Sequence, residues 1–215
     1  MPEAPRIKIC GLREPAHGEL AGDLGVWAIG LMFAPRSPRL VDVETARTIV
    51  RATASAVARV GVFVGSSADE IGHIADAVGL THVQVHGQAD VTAIREVTGR
   101  PVLKGFGVAG PDDLDQVSRS DADLVLLDAK VAGQDGGTGR VADWDVIAAH
   151  RPTRPFLLAG GLTVDNVGEA LARVQPWGVD VSSGVERSRG VKDSELIAAF
   201  VAAVRSAVND DGSSG

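Results

Sequence analysis

The sequence has one cysteine among 215 residues, and that scarcity removes two classes of protein at once. A single thiol forms no internal disulfide, so stability has to come from packing, and no thiolate-rich metal site can be assembled. The five histidines do not supply the HExxH spacing of a metalloprotease helix either. Aromatic residues make up only 4% of the chain, too few for a sandwich of aromatic-rich strands, whereas 26 glycines beside Val, Ile, Leu and Ala runs suit close strand-helix packing. Basic charge is not in excess. With 21 Lys and Arg against 28 Asp and Glu the formal charge is −7, and no basic stripe faces a phosphate backbone, so no nucleic-acid partner is expected. No apolar run approaches the length of a bilayer span, and Met1-Pro2-Glu3-Ala4-Pro5-Arg6 lacks the basic-then-apolar order of a secretory leader. No membrane partner and a cytoplasmic location are therefore expected.

What the chain does have is a repeating pattern: apolar run, glycine or polar turn, amphipathic segment, next apolar run. Eight such cycles can be traced, with strands expected at 6–10, 27–33, 59–64, 82–86, 102–106, 124–128, 156–160 and 178–182. Helical periodicity lies between them at 43–56, 68–78, 91–97, 144–150, 164–174 and 194–208, with Asp143 and Thr163 as caps for two of these. Eight βα units with short connections and no linker composition predict an α/β fold, a single eight-stranded parallel (β/α)8 TIM barrel over 1–208. Residues 209–215, small and polar, are expected to fray as a disordered tail. The alternative, an open doubly wound sheet, wants a GxGxxG after the first strand, where this chain has only Gly11.

Chemistry in such barrels gathers at the C-terminal strand ends. Cys10 ends the first strand, Asp128 the sixth, and Asp180 with Ser182 the eighth; strand parity puts Lys8 on the same face as Cys10. Each has a blander reading. A lone cysteine is more often a small buried hydrophobe, Asp128 could cap its turn, and Asp180 could pair internally with Lys8 or Lys104. Ala159-Gly160-Gly161-Leu162 and Ser182-Ser183-Gly184-Val185 close units seven and eight, where glycines let backbone N–H groups approach an anion. The proline-stiffened turn 34–39 carries Arg39, suited to bidentate capture of a carboxylate, or simply solvated. The glycine-rich stretch 133–139 is a candidate lid, or an ordinary loose loop.

These residues resemble the phosphoribosylanthranilate isomerase family of tryptophan biosynthesis over nearly the whole chain. The matching stretches are KICGL (8–12), FAPRSPR (33–39), RVGVFV (59–64), VQVHG (83–87), LLDAK (126–130), GGTG (136–139), LAGGL (158–162), GVDVSSGVE (178–186) and GVKD (190–193). The resemblance implies a small barrel that performs an Amadori rearrangement of a phosphosugar, N-(5'-phosphoribosyl)anthranilate, with no cofactor and no metal, as a monomer or homodimer. It assigns the general base to Cys10 and the general acid to Asp128. Arg39 would contact the anthranilate end and Asp180 the ribose end, with Gly160, Gly161, Ser183 and Gly184 around the phosphate. Related barrels acting on the histidine-pathway aminoaldose use two aspartates as acid and base, and a cysteine at position 10 argues against that substrate. Three stretches depart from the family pattern: Arg140-Val141-Ala142, Gly30-Leu31-Met32-Phe33 and the glycine-rich 103–107.

Overall fold

A computed structural model describes residues 4–128 and 144–211. The strands β1 (Arg6–Cys10), β2 (Ala28–Met32), β3 (Ala58–Val64), β4 (His82–His86), β5 (Val102–Gly107), β6 (Leu124–Asp128), β7 (Phe156–Ala159) and β8 (Gly178–Val181) pair in sequence order as a closed parallel barrel. Closure comes from β1 pairing β8, with Lys8 opposite Asp180. The open-sheet alternative is thereby excluded. The helices are α1 (Pro15–Asp23), α2 (Val43–Ala52), α3 (Ala68–Val78), α4 (Val91–Thr98), α5 (Pro111–Ser118), α6 (Trp144–Ala149), α7 (Val167–Val174) and α8 (Ser194–Asp211). After β8 come a three-residue 3₁₀ turn (Ser183–Val185) and a small antiparallel pair, β9 (Glu186–Ser188) with β10 (Val191–Lys192).

Strand alternation divides the apolar residues into two cores. Outward-pointing Ile7, Ile9, Ile29, Leu31, Val83, Val85, Val125, Leu127, Val179 and Val181 are buried against the helices. Inward-pointing Leu103, Leu126, Leu157 and Ala159 form a second cluster, joined at its base by Trp27, Leu124 and Trp177. The two indoles meet edge-on with ring centroids 5.1 Å apart, closing the N-terminal end of the barrel. Higher up, the interior turns polar, with Lys8, Gln84 and Asp180 all buried.

The helix ends follow local chemistry. Asp42, Ser67 and Asp90 cap α2, α3 and α4 by accepting from the backbone N–H three residues on. Helix α2 stops at Ala52, four residues before the periodicity suggests, because Thr53 turns extended and packs on α1. A Cβ at Gly18 would lie 2.5 Å from Thr53 Oγ1 and one at Gly22 would lie 2.9 Å from Ala54 Cβ, so α1 meets this corner through its two glycines. Helix α7 starts at Val167 rather than 164, and Thr163 is not its cap. Asn166 instead holds the preceding turn, donating to Gly161 O at 3.0 Å and accepting from Thr163 N at 2.8 Å. Asp143, the stretch 133–139 and the part of the expected tail beyond Asp211 lie outside the described residues.

Candidate active site

The two residues before the β1 turn decide the chemistry of the barrel mouth. Lys8 points inward and is fully buried, a costly position for an ammonium unless it is paired. Its partner is Asp180, whose Oδ1 accepts from Lys8 Nζ at 2.7 Å. Strand register is what brings them together, since the Lys8 and Asp180 Cα atoms are partners across the β1–β8 closure. Burial alone would push the Lys8 pKa down, but the Asp180 carboxylate, and then Cys10, raise it above its ordinary value.

Cys10 lies one inward step above, 5% exposed. Burial pushes the thiol up; Lys8 and Lys192 pull it down, Asp180 pushes it up, and the net direction is up. Lys8 thus favours the thiolate but is outweighed, because the lysine charge is already balanced by Asp180. Gly30 on β2 makes the arrangement possible. A Cβ there would lie 2.8 Å from Cys10 Sγ, 3.0 Å from Cys10 Cα and 3.2 Å from Lys8 Nζ, so thiol and ammonium both occupy space that only glycine leaves open. Gly30→Ala is accordingly expected to displace the thiol and separate β1 from β2 locally, lowering kcat by more than tenfold. Steady-state kinetics on protein with an unchanged circular dichroism spectrum checks this.

Across the mouth, Asp128 ends β6, half-buried, with Val108 N donating to its main-chain oxygen at 2.9 Å. Its register partners are Gly107 on β5 and Ala159 on β7, neither of which has a side chain larger than a methyl group. His86 ends β4 on the same inward face, where Gly105 makes room for its ring: a Cβ at that glycine would lie 2.3 Å from His86 Cε1. Gln84 Nε2 stands 2.8 Å from His86 Nε2. His86 entered the sequence reading only as part of VQVHG. Its position two residues beyond an inward glutamine on a strand was the available signal.

The loops over the mouth bring the remaining candidates into view. Of the two arginines in the turn after β2, Arg36 is exposed, while Arg39 turns inward across Gly11, the residue after Cys10. Gly11 has φ +81°, and a Cβ on it would lie 2.5 Å from Arg39 Cδ. Arg39 is not an unattached surface cation. Its Nε and Nη2 donate to Glu186 Oε1 and Oε2 at 2.6 and 2.9 Å. Glu186 also accepts from Lys192 Nζ at 2.8 Å and from Gly190 N at 3.0 Å. Glu186 and Lys192 enter the sequence analysis only within the stretches GVDVSSGVE and GVKD, with no role assigned to either.

The two glycine turns after β7 and β8 touch each other. Gly160 and Gly161 take φ +95° and +68°, and a Cβ on Gly184 would fall 1.9 Å from Leu162 O, so the Ser183-Gly184 backbone lies directly against the other turn. Ser182 Oγ donates to Cys10 O at 3.1 Å, tying this corner to β1. A separate polar cavity of about 520 Å³ opens beside β5, lined by residues that include Gly87, Asp90, Lys104 and Asp113. It shares no residue with Cys10, Asp128 or the glycine turns and does not house this site. Among the described residues no group of three or more His, Cys, Asp or Glu could hold a metal ion, and no helix is long and apolar enough to cross a membrane.

A family model for N-(5'-phosphoribosyl)anthranilate (PRA) isomerase matches residues 7–203. The N-(5'-phosphoribosyl)anthranilate isomerase of Pseudomonas aeruginosa (strain UCBPP-PA14) is 45% identical over 212 residues, covering 97% of this chain and 99% of that protein. The crystal structure of phosphoribosyl anthranilate isomerase from Thermotoga maritima superposes with a TM-score of 0.86 at 35% identity, covering 94% of this chain and 99% of the other. A further such structure, in complex with reduced 1-(o-carboxyphenylamino)-1-deoxyribulose 5-phosphate, gives 0.83 at 33% identity, over 94% of this chain and 99% of that one. The barrel and its order of strands thus agree with a match that runs almost from end to end, and the chain belongs to the N-(5'-phosphoribosyl)anthranilate isomerase family.

Proposed function

We propose that this protein catalyses the Amadori rearrangement of N-(5'-phosphoribosyl)anthranilate to 1-(2-carboxyphenylamino)-1-deoxyribulose 5-phosphate, a step of tryptophan biosynthesis, with Cys10 as general base and Asp128 as general acid. The observation that carries this reading is the pairing of one inward thiol with one inward carboxylate at strand ends of the same closed barrel, β1 and β6. The binding of a reduced product analogue by a family member of the same fold adds support.

The substrate is dianionic at one end and carries a benzoate at the other. The phosphate would sit at Gly160, Gly161, Ser183 and Gly184, where three of the four residues carry no side chain to keep an oxygen from the backbone. The anthranilate carboxylate would meet Arg39, and Asp180, steadied by Lys8, lies at the ribose end. Asp128 protonates the ring oxygen while the amine nitrogen lone pair forms a C=N bond to C1', breaking the ring C–O bond. The Schiff base acidifies the C2' proton, which passes to the Cys10 thiolate. The resulting enolamine takes a proton at C1' and releases its hydroxyl proton to become the ketone. Solvent exchange then returns a proton to Asp128 and removes one from Cys10.

The test is turnover of N-(5'-phosphoribosyl)anthranilate by the purified chain, followed through the loss of its fluorescence, with the histidine-pathway aminoaldose assayed in parallel. Turnover of the first alone is expected. Tight binding without turnover, or turnover of the aminoaldose alone, would overturn the reading.

A further inference from the structure

Arg39 is the one cation aimed over the mouth from the β2 turn, yet one edge of its guanidinium is already occupied. Glu186 holds it side-on, through Nε and Nη2. A guanidinium has five N–H donors, and its end-on edge, formed by Nη1 with the second N–H of Nη2, presents another fork that Glu186 does not use. Arg39 can therefore be held by one carboxylate and hold a second. The holder is itself well anchored. Glu186 is drawn down to about 2: burial would raise it, but the bonds from Arg39, Lys192 and Gly190 lower it more, and its side chain is only 3% exposed. Lys192, 1% exposed, donates in addition to Ser182 O at 2.8 Å, next to the Ser182 hydroxyl that bonds Cys10 O. At the tip of the β9–β10 pair, Gly190 has φ +82° and lies so close to the Arg39 turn that a Cβ would stand 2.7 Å from Pro38 O.

The charges matter as much as the geometry. Arg39 with Glu186 alone would be neutral and would attract no anion. Lys192 leaves the trio with one net positive charge, which a single incoming carboxylate balances. From this arrangement we infer that Glu186 and Lys192 are specificity-determining positioning residues: they hold Arg39 with its end-on edge turned to the mouth and give the trio the charge that selects a substrate bearing one aryl carboxylate. The inference rests on the proposed role of Arg39 in binding that carboxylate.

Glu186→Gln keeps the shape and removes the charge. It should raise KM for N-(5'-phosphoribosyl)anthranilate by roughly ten- to a hundredfold, the range expected for losing a charge-assisted contact, with kcat nearly unchanged. KM for the analogue with aniline in place of anthranilate should stay as it is, and so should competition by inorganic phosphate, which reports on intact glycine turns. On an Arg39→Ala background Glu186→Gln should add nothing, since it acts through that arginine. Lys192→Met provides a second variant if the first folds poorly, and should show the same substrate-dependent KM rise. An equal KM rise for both substrates, an additive effect with Arg39→Ala, or no rise at all would overturn the inference. Arg39→Ala with raised KM beside an unaffected Glu186→Gln overturns this inference alone; an unaffected Arg39→Ala overturns the carboxylate reading on which it rests.

Discussion

Cys10→Ala is expected to lower kcat by roughly 10² to 10⁴, the usual contribution of a positioned base, while KM changes little. The fold should survive. The thiol is a small group at the end of a strand whose neighbours Ile9 and Leu12 carry the packing, both fully buried. Comparable thermal unfolding of variant and parent is the control that makes the activity loss chemical rather than structural. Because Cys10 is the only cysteine in the chain, iodoacetamide should inactivate the protein through a single site, and product should protect it. Alkylation with retained activity would mean that the thiol is ordinary core.

The second large effect is on stability. Lys8→Met leaves the Asp180 carboxylate buried without its cation, and breaking such a pair from one side costs about 3 to 5 kcal/mol. For a chain of this size that is a fall in Tm of roughly 6 to 20 °C. The double replacement Lys8→Met with Asp180→Leu removes both charges and should recover most of the stability, because a buried ion pair is often worth no more than apolar side chains of similar volume. Activity should not return with it. Urea unfolding of the three variants measures this, and a Lys8→Met protein as stable as the parent would show that Asp180 finds water or another donor.

These groups also set how stability varies with pH. Lys8 and Cys10 both titrate higher in the folded chain than the 10.5 and 9.0 of unfolded chains, so their contributions are whole below those values and are lost as pH rises through the folded ones. Glu186 behaves oppositely. Its contribution is present above 4.5 and is lost as pH falls towards about 2.

The barrel was legible in the sequence because its strands are short apolar runs punctuated by glycine, and the β1, β4 and β6 boundaries coincide with those runs. Two helices were not legible, for different reasons. In α1 the contact face is Gly18 and Gly22, which carry no apolar signal because their role is to let α2 come close. In α5 only Leu114 and Val117 are buried, while Pro111, three aspartates, Gln116 and Ser118 make up the rest of an eight-residue helix. The site shows the same division. Cys10 and Lys8 share a face by simple parity, and Arg39 lies on a turn whose prolines mark it. Of the longer-range pairs, Lys8 with Asp180, 172 residues apart, was open only as one of two partners that barrel closure offers the aspartate, and Arg39 with Glu186, 147 residues apart, are joined only by loops that cross the rim. No local pattern carries that information.

A buried thiol that must ionise before it can act as the base makes one demand that experiment can meet directly. The pH dependence of kcat/KM and of the alkylation rate of Cys10 should be measured side by side on Asp128→Asn protein, whose residual turnover carries no titration of the acid. The proposed mechanism predicts that both curves rise together, with one apparent pKa above that of a free thiol, because the same thiolate takes up the C2' proton and attacks the reagent. Catalysis already at its plateau at pH values where the thiol remains unreactive would contradict Cys10 as the base.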